Sequence, residues 1–151
     1  MWAEPISAVV LPSLLPRPPA QVMTEVIMAV KVLLADDSQV IRQGIKDLLE
    51  YHPGITLVGE AETLDEAVTK SAELVPDVVV LDLHLLEGGV APIQRVFISR
   101  MKIVVITFGA DANSKNLAQR IGAQALLDKS DLPAELIPAI LKARSKGAGA
   151  G

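Results

Sequence analysis

The sequence contains no cysteine, and this absence excludes several kinds of site at once. Without cysteine there is no disulfide framework, no thiolate ligand for a metal and no cysteine nucleophile. Aromatic residues are also scarce, at 3% of the chain, and form no cluster that indicates a cofactor site. A chain without cysteine is typical of a reducing compartment, and we expect this one to act in the cytoplasm.

An excess of positive charge is lacking as well. The chain has 14 Lys and Arg residues against 18 Asp and Glu residues, a formal net charge of -4. It therefore offers no general cationic surface for a phosphate backbone, and we expect no direct nucleic-acid partner. No apolar run reaches the about 18 residues that a membrane span needs, so we expect no membrane association.

Length and proline content predict the domain organisation. The 151 residues, half of them hydrophobic, suffice for one compact domain. Residues 1–27 hold five of the ten prolines and show no sustained periodicity, which predicts a disordered N-terminal extension. It lacks the basic start of a signal peptide, and prolines interrupt its apolar residues. We expect the folded domain to span residues 28–146 and residues 147–151 to form a flexible Gly-Ala tail.

Short apolar runs alternate with segments of helical period from Val30 onward. The runs are VKVLLA (30–35), ITLVGEA (55–61), DVVVLDL (77–83), KIVVIT (102–107) and ALL (125–127). Three of them are almost continuous in Val, Ile and Leu, which is typical of strands buried on both faces of a parallel sheet. Five β/α units predict an α/β fold with an open, doubly wound, five-stranded parallel sheet.

Local signals bound the predicted helices. The first helix carries apolar residues at helical spacing, namely Val40, Ile41, Ile45, Leu48 and Leu49. Thr63 and Glu66 predict a capping box for the second helix, and Pro76 predicts its end. A short third helix is expected between Gly89 and Lys102. The fourth is expected from Asp111 to Ile121, ending at Gly122, and the last is expected to begin near Pro133 after Ser130 or Asp131.

Polar side chains follow four of the predicted strands. Strand 1 is followed by Asp36 and Asp37, strand 3 ends at Asp82, strand 4 at Thr107 and strand 5 at Lys129. Ligands of open α/β sheets bind at the carboxyl ends of the strands, so these residues are expected to share one pocket. Three carboxylates there favour a cation, and Mg²⁺ suits such oxygen ligands. With that cation beside it, a carboxylate can take part in phosphoryl transfer.

Each of these residues also has an ordinary structural interpretation. An acidic pair after a strand is commonly a helix N-cap, and Asp82 could be a buried carboxylate with a capping role. Thr107 could be a turn residue, and Lys129 a solvated surface charge. Only the combination of all of them at the ends of strands 1, 3, 4 and 5 favours a functional site.

Four segments together resemble the receiver domain of two-component response regulators. They are KVLLADDSQVIRQGIKDLLE, VGEAETLDEAVTKSAELVPDVVVLDL, KIVVIT and GAQALLDK, and the resemblance covers about Val30 to Lys146. It is greatest to receivers of the subgroup that often carries a helix-turn-helix output domain. The resemblance implies the flavodoxin-like (β/α)5 receiver fold.

The same resemblance implies a role for each residue at the strand ends. Asp82 would accept a phosphoryl group from a sensor histidine kinase or a phosphotransfer protein. Mg²⁺ would be bound by Asp36, Asp37 and Asp82 and by the backbone carbonyl of His84, with Asp36 acting through water. Thr107 would be the switch hydroxyl, and Lys129 would pair with the phosphate. Such a phosphoacceptor is not an enzyme in the usual sense, although it catalyses its own phosphotransfer and dephosphorylation.

The sequence departs from the family pattern in several places. The family's usual proline and glycine after the acceptor are replaced by Leu86 and Val90, and the interval from Asp82 to Thr107 is several residues short. Leu126 replaces the aromatic residue that rotates inward on activation. Phe108 stands where a small residue is usual and is expected to narrow access to the site. These departures predict that acceptor chemistry is retained and that the signalling change is weakened.

Two other classes of function remain open at this point. An aspartate-nucleophile phosphatase uses similar residues, but it needs a second acid two positions after the nucleophile, where this chain has His84. A degenerate receiver would act as an unphosphorylated protein-binding module. Because only a short tail follows the last helix, a single-domain regulator is expected to signal through a downstream protein partner or a homodimer, or to draw phosphate away from another regulator.

Overall fold

Five parallel strands form the sheet of this protein. The computed structural model describes residues 28–87, 89 and 101–150, with side chains as far as residue 144. The strands are β1 (Val30–Ala35), β2 (Ile55–Ala61), β3 (Val78–Asp82), β4 (Lys102–Thr107) and β5 (Ala125–Asp128). Their order is β2-β1-β3-β4-β5, and all neighbouring strands pair in parallel. The predicted strands are confirmed to within one residue at each end.

Helices cover both faces of this sheet. Those described are α1 (Gln39–Leu49), α2 (Leu64–Leu74), α3 (Ala112–Arg120) and α4 (Leu132–Ala150), with short 3-10 turns at Leu83–Leu86 and Lys129–Asp131. The predicted N-terminal extension and the predicted short helix between Gly89 and Lys102 lie outside the described residues. None of the described helices is long and apolar enough to cross a membrane.

Period-two alternation divides the core into two clusters, one on each face of the sheet. In β1, the side chains of Val32 and Leu34 pack on one face beneath α1 and α4, and those of Leu33 and Ala35 pack on the other beneath α2 and α3. The central strands β1 and β3 are buried almost throughout. This double coverage explains why their sequences are continuous apolar runs, and it directs polar residues to the strand ends.

The helix boundaries follow the local signals with one difference in detail. Thr63 Oγ1 accepts a hydrogen bond from Glu66 N–H at 3.1 Å, as a capping residue does. The Glu66 carboxylate, however, accepts from Glu62 N–H at 2.7 Å rather than from Thr63 N–H. The returning hydrogen bond of the predicted capping box is therefore shifted by one residue towards the N-terminus. At the end of α3, Gly122 has φ +73°, the left-handed conformation that a helix C-terminus favours.

Two predictions about the helices need correction. Val40, expected on the apolar stripe of α1, is 81% exposed, because the buried stripe runs through Arg42, Ile45 and Leu49. Helix α4 begins at Leu132, within one residue of the predicted start near Pro133. It continues to Ala150, so residues 147–150, expected as a flexible tail, are helical. Alanine favours the helix and glycine disfavours it, but extending an existing helix avoids the cost of nucleation.

Candidate functional site

The carboxyl ends of the strands meet along one edge of the sheet because all five strands are parallel. Asp36 follows β1, Asp82 is the last residue of β3, and Lys129 follows β5. Thr107 is the last residue of β4, and its neighbour Ile106 is the register partner of Asp82. The topology therefore brings together the strand-end residues that the sequence singled out.

Three carboxylates form the centre of this edge. One oxygen from each of Asp36, Asp37 and Asp82 can be chosen so that the three oxygens lie within 4.8 Å of one another. Asp36 is fully buried and Asp82 is 3% exposed, whereas Asp37 faces solvent. Buried carboxylates at this separation repel one another unless positive charge lies among them.

Lys129 supplies positive charge inside the cluster. Its Nζ lies 2.8 Å from Asp36 Oδ2 and 3.3 Å from Asp82 Oδ1, and its side chain is only 7% exposed. The first distance marks a close ion pair, although the contact is poorly aligned for a hydrogen bond, and Asp36 Oδ2 has no aligned donor among the described residues. The interpretation of Lys129 as a solvated surface charge is therefore wrong.

The environment of Asp82 differs from that of a carboxylate in water. Burial raises its pKa, and the negative charge of Asp36 raises it further. The His84 N–H, which donates to Asp82 Oδ1 at 3.2 Å, and the Lys129 ammonium both act to lower the pKa. The raising effects prevail, so the site favours protonation of Asp82 or the approach of additional positive charge.

Thr107 and Phe108 lie beside this cluster at the end of β4. Thr107 is half-buried and pairs in register with Asp128, the residue before Lys129. The ring of Phe108 is 64% exposed, and its centroid lies 5.2 Å from Lys129 Nζ, a cation–π distance. The expectation that Phe108 narrows access to the site stays a prediction.

Asp128 does not compete for the neighbouring lysine. Its Oδ1 accepts from the Ser130 N–H and hydroxyl at 2.9 and 2.6 Å, and its Oδ2 accepts from Gly109 N–H at 3.1 Å. These hydrogen bonds, those from Ser130 first, lower the pKa of Asp128. The carboxylate thus joins the loop after β4 to the loop after β5, and Lys129 remains directed to the acidic cluster.

The His84 side chain takes no part in the cluster. It is 74% exposed and lies 3.4 Å from Glu87 Oε1. The backbone carbonyl of His84, predicted as a metal ligand, accepts from Glu87 N–H at 3.3 Å within the 3-10 turn. A carbonyl oxygen has a second lone pair, so its metal-ligand role stays a prediction.

Sequence reasoning missed one charged group beneath the site. Arg42 on α1 is only 6% exposed, and its Nη1 donates to the backbone carbonyl of Asp36 at 2.6 Å. The same guanidinium pairs with Glu60 at 3.1 Å and Glu62 at 2.9 Å. A signal was present, because Arg42 lies on the same helical stripe as the buried Ile45 and Leu49, where a charged residue is unusual.

A second cation completes this network on the outer side. Lys46 Nζ lies 3.0 Å from Glu60 Oε2. The hydrogen bond from Lys46 is the largest cause that lowers the pKa of Glu60, with a smaller contribution from Arg42. Glu60 is therefore a stable anionic partner for both cations of α1.

The donor set of the cluster fits a hard divalent cation. It consists of carboxylate oxygens, and a buried one, Asp36 Oδ2, has no aligned hydrogen bond among the described residues. Exposed Asp37 leaves one side open to water and to a further ligand. Mg²⁺ favours such sites, because it keeps several waters and binds through one or two carboxylates.

Sequence comparison agrees with the fold. The family model described as the response regulator receiver domain matches residues 32–141. The chain belongs to this family. As a receiver domain, it is a module of two-component response regulators, a family to which the phosphoacceptor role belongs.

Two relatives show how similar this receiver domain is to individual proteins. It is 36% identical over 122 residues to the transcriptional regulatory protein LiaR of Bacillus subtilis, covering 78% of this chain and 57% of LiaR. It is 43% identical over 72 residues to the DNA-binding transcriptional activator DevR/DosR of Mycobacterium tuberculosis, covering 48% of this chain and 33% of that protein. The chain thus spans little more than half the length of LiaR and a third of DevR/DosR.

A solved structure shows the same fold. The signal receiver domain of NarL from Mycobacterium tuberculosis superposes with a TM-score of 0.70 at 24% identity, covering 78% of this chain and 97% of that domain. The predicted flavodoxin-like receiver fold is confirmed.

Proposed function

We propose that this receiver domain accepts a phosphoryl group on Asp82 in a Mg²⁺-dependent reaction and signals through a partner protein. The donor is a phosphohistidine of a sensor histidine kinase or of a phosphotransfer protein. The observation that carries the proposal is the position of Lys129, whose ammonium contacts both Asp36 and Asp82 inside the carboxylate cluster.

We assign the acceptor role to Asp82 because it is the buried carboxylate at the end of β3 that Lys129 contacts. Its buried carboxylate contacts Lys129 on one side and shares the cluster with Asp36 and Asp37. In the transfer, a carboxylate oxygen of Asp82 forms a bond to phosphorus while the phosphorus–nitrogen bond of the phosphohistidine breaks. The departing imidazole nitrogen keeps the electron pair and takes up a proton from solvent.

The other strand-end residues would bind Mg²⁺ and neutralise the charge of the phosphoryl group. Asp37 and Asp36 would hold Mg²⁺, which, when bound, offsets the repulsion between an anionic carboxylate and an anionic phosphoryl group. Lys129 is positioned to pair with a phosphoryl oxygen on Asp82. Thr107 lies one residue beyond the register partner of Asp82, where its hydroxyl can donate to a second phosphoryl oxygen. Lys129 then contributes a positive charge, and Thr107 a hydrogen-bond donor, where the negative charge of the phosphoryl group accumulates.

The phosphatase alternative loses support from the same geometry. An acid catalyst two residues after Asp82 would have to face the pocket, but that residue is His84, and its side chain is 74% exposed beside Glu87. We therefore propose a phosphoacceptor rather than a hydrolase.

The deciding experiment is phosphorylation by a small acyl phosphate. The full chain incubated with Mg²⁺ and acetyl phosphate should gain the mass of one phosphoryl group by intact mass spectrometry, and Asp82→Asn should gain none. Asp47→Asn, at an exposed position on α1, is the matched control and should behave like the wild type. Retained phosphorylation in Asp82→Asn would contradict the acceptor assignment, and an unmodified wild type would favour an unphosphorylated binding module.

A further inference from the structure

Arg42 occupies a position where an arginine is costly unless each of its groups is paired. Its side chain is 8% exposed and lies between α1 and the end of β2. A buried guanidinium requires hydrogen-bond partners for its donors, or its desolvation destabilises the fold. Two glutamates and one backbone carbonyl satisfy this requirement, and the carbonyl belongs to Asp36.

The Asp36 carbonyl is part of the peptide unit that joins the two acidic residues. Arg42 Nη1 donates to this oxygen at 2.6 Å, within the loop between β1 and α1. On the other side of the residue, Asp36 N–H donates to Ala61 O at 3.0 Å, and Asp36 Oδ1 accepts from Ser38 N–H at 2.8 Å. Asp37 is exposed, and the peptide unit that Arg42 holds is the one that leads into its main chain.

We propose that Arg42 is a positioning residue for the metal site: through the Asp36 carbonyl it orients the peptide that carries the Asp36 and Asp37 carboxylates. The inference rests on the proposed Mg²⁺ site and adds to it a residue that touches neither the metal nor the phosphoryl group. A group that orients ligands from outside the coordination shell commonly changes metal affinity by about 10-fold or more when it is removed.

Charge alone predicts the opposite effect of removing Arg42. A cation near three carboxylates competes with Mg²⁺, so its loss should strengthen metal binding if only electrostatics mattered. The positive charge of Arg42 is also largely offset by Glu60 and Glu62, which lie within 3.1 Å of it. Positioning and charge therefore predict opposite signs for the change in Mg²⁺ affinity.

Lys46 provides a matched control for this difference. It belongs to the same helix and pairs with the same Glu60, at 3.0 Å. It has no hydrogen bond to Asp36, whereas Arg42 has one. Replacing Lys46 thus removes one cation from the network and leaves the Asp36 peptide held in place.

The test is a titration of the full chain with Mg²⁺, in which the amide NMR signal of Asp37 is the readout of binding. The variants are Arg42→Met, which keeps the apolar stem, Arg42→Lys, which keeps the charge, and Lys46→Met. We expect Mg²⁺ affinity to fall about 10-fold in Arg42→Met. Affinity should also fall in Arg42→Lys, because one ammonium cannot reproduce the three directed contacts of the guanidinium. The fall should be smaller than in Arg42→Met, because the lysine keeps a donor on the same helix. Lys46→Met should bind Mg²⁺ as tightly as the wild type, or more tightly.

The outcomes separate this inference from the proposed function. Wild-type affinity in both Arg42 variants would overturn the positioning role while leaving the Mg²⁺ site intact. If Arg42→Met does not fold, as urea denaturation in EDTA would reveal, Arg42→Lys decides the question alone. An equal loss of affinity in Lys46→Met would mean that the whole charge network matters rather than the Asp36 contact. A wild type that binds no Mg²⁺ would overturn the proposed site, and the inference with it.

Discussion

Asp82 combines two properties that oppose each other in a folded protein. As the proposed acceptor, its carboxylate has to be accessible to a phosphoryl donor, and yet the residue is 3% exposed beside the buried Asp36. Burial and the neighbouring charge raise its pKa above the ordinary value, so ionised Asp82 is less stable in the folded domain than in the unfolded chain. The proposed acceptor is thus a residue whose ionised form reduces the stability of the metal-free domain.

This opposition predicts a pH-dependent effect of Asp82→Asn. Between the ordinary pKa and the raised folded pKa, the folded domain binds a proton that the unfolded chain has lost, so wild-type stability falls as pH rises through this range. At neutral pH in EDTA, Asp82→Asn should therefore be more stable by about 1 kcal/mol, and the difference should shrink towards about pH 4. Urea denaturation at several pH values measures it.

Lys129 keeps a partner in this variant, because Asp36 Oδ2 lies 2.8 Å from its Nζ. Exposed Asp47→Asn is the control and should change stability little at either pH. A wild type more stable than Asp82→Asn at neutral pH would show that the ion pair with Lys129 outweighs the burial of the charge.

At the scale of the elements, the acids at the strand ends serve the backbone as well as the site. Asp36 Oδ1 accepts from Ser38 N–H, and Asp128 Oδ1 accepts from Ser130 N–H, each two residues further along the chain. Asp82 Oδ1 accepts from His84 N–H in the same way. Ser38 is the N-cap of α1, so the N-cap interpretation of the acidic pair is wrong, although Asp82 does cap the 3-10 turn that follows it. Asp36 and Asp82 thus accept backbone hydrogen bonds and also belong to the charged cluster. In Asp36 different oxygens serve the two roles, whereas in Asp82 the capping oxygen Oδ1 also contacts Lys129.

Two glycines in helical segments should respond to alanine in opposite ways. An added Cβ would meet nothing within 4 Å at either Gly44 or Gly122, so crowding does not distinguish them. Gly122, however, has φ +73° at the end of α3, where alanine costs about 1 kcal/mol. Gly44 lies inside α1, where alanine should stabilise by up to about 1 kcal/mol. Urea denaturation of both variants measures the difference, and equal effects would contradict the conformational explanation.

At the scale of the whole molecule, Leu126 and the last helix lie on opposite faces of the sheet. Leu126 packs against the cluster beneath α2 and α3, whereas its neighbour Leu127 belongs to the cluster beneath α1 and α4. A change in the volume filled by Leu126 thus acts first on the face opposite α4. As an aliphatic residue, it also offers less difference in shape between two states than a ring does.

This arrangement predicts a weak response of α4 to a phosphate mimic. A ligand shifts a conformational equilibrium only by its differential affinity for the two states. Beryllofluoride with Mg²⁺ should therefore shift the amide NMR signals of Asp37, Asp82, Thr107 and Lys129 strongly, and those of residues 133–146 weakly. Leu126→Tyr restores a ring and should enlarge the shifts in that range. Large wild-type shifts along α4 would show that Leu126 does not uncouple the switch.

The sequence by itself determined the elements and the acids at their ends. Apolar runs such as VKVLLA and KIVVIT became strands because a sheet covered on both faces buries every side chain of its central strands. Gly122 ended α3 and Thr63 began α2 because the conformational and hydrogen-bonding requirements at helix ends are local. Because the alternation of strands and helices predicts parallel strands, Asp36, Asp82 and Lys129 could be predicted to share one edge.

Only the tertiary structure decided which charges pair. Lys129 contacts Asp36 and Asp82, and Arg42 binds the Asp36 carbonyl with Glu60 and Glu62, between residues that are distant in sequence. The apolar stripe of α1 correctly predicts that Ile45 is buried, but it assigns no partner to Arg42. It also wrongly predicts that Val40 is buried, whereas Val40 is 81% exposed. Local periodicity depends on the backbone of one element, whereas the partner of a buried charge depends on how separate elements pack against each other.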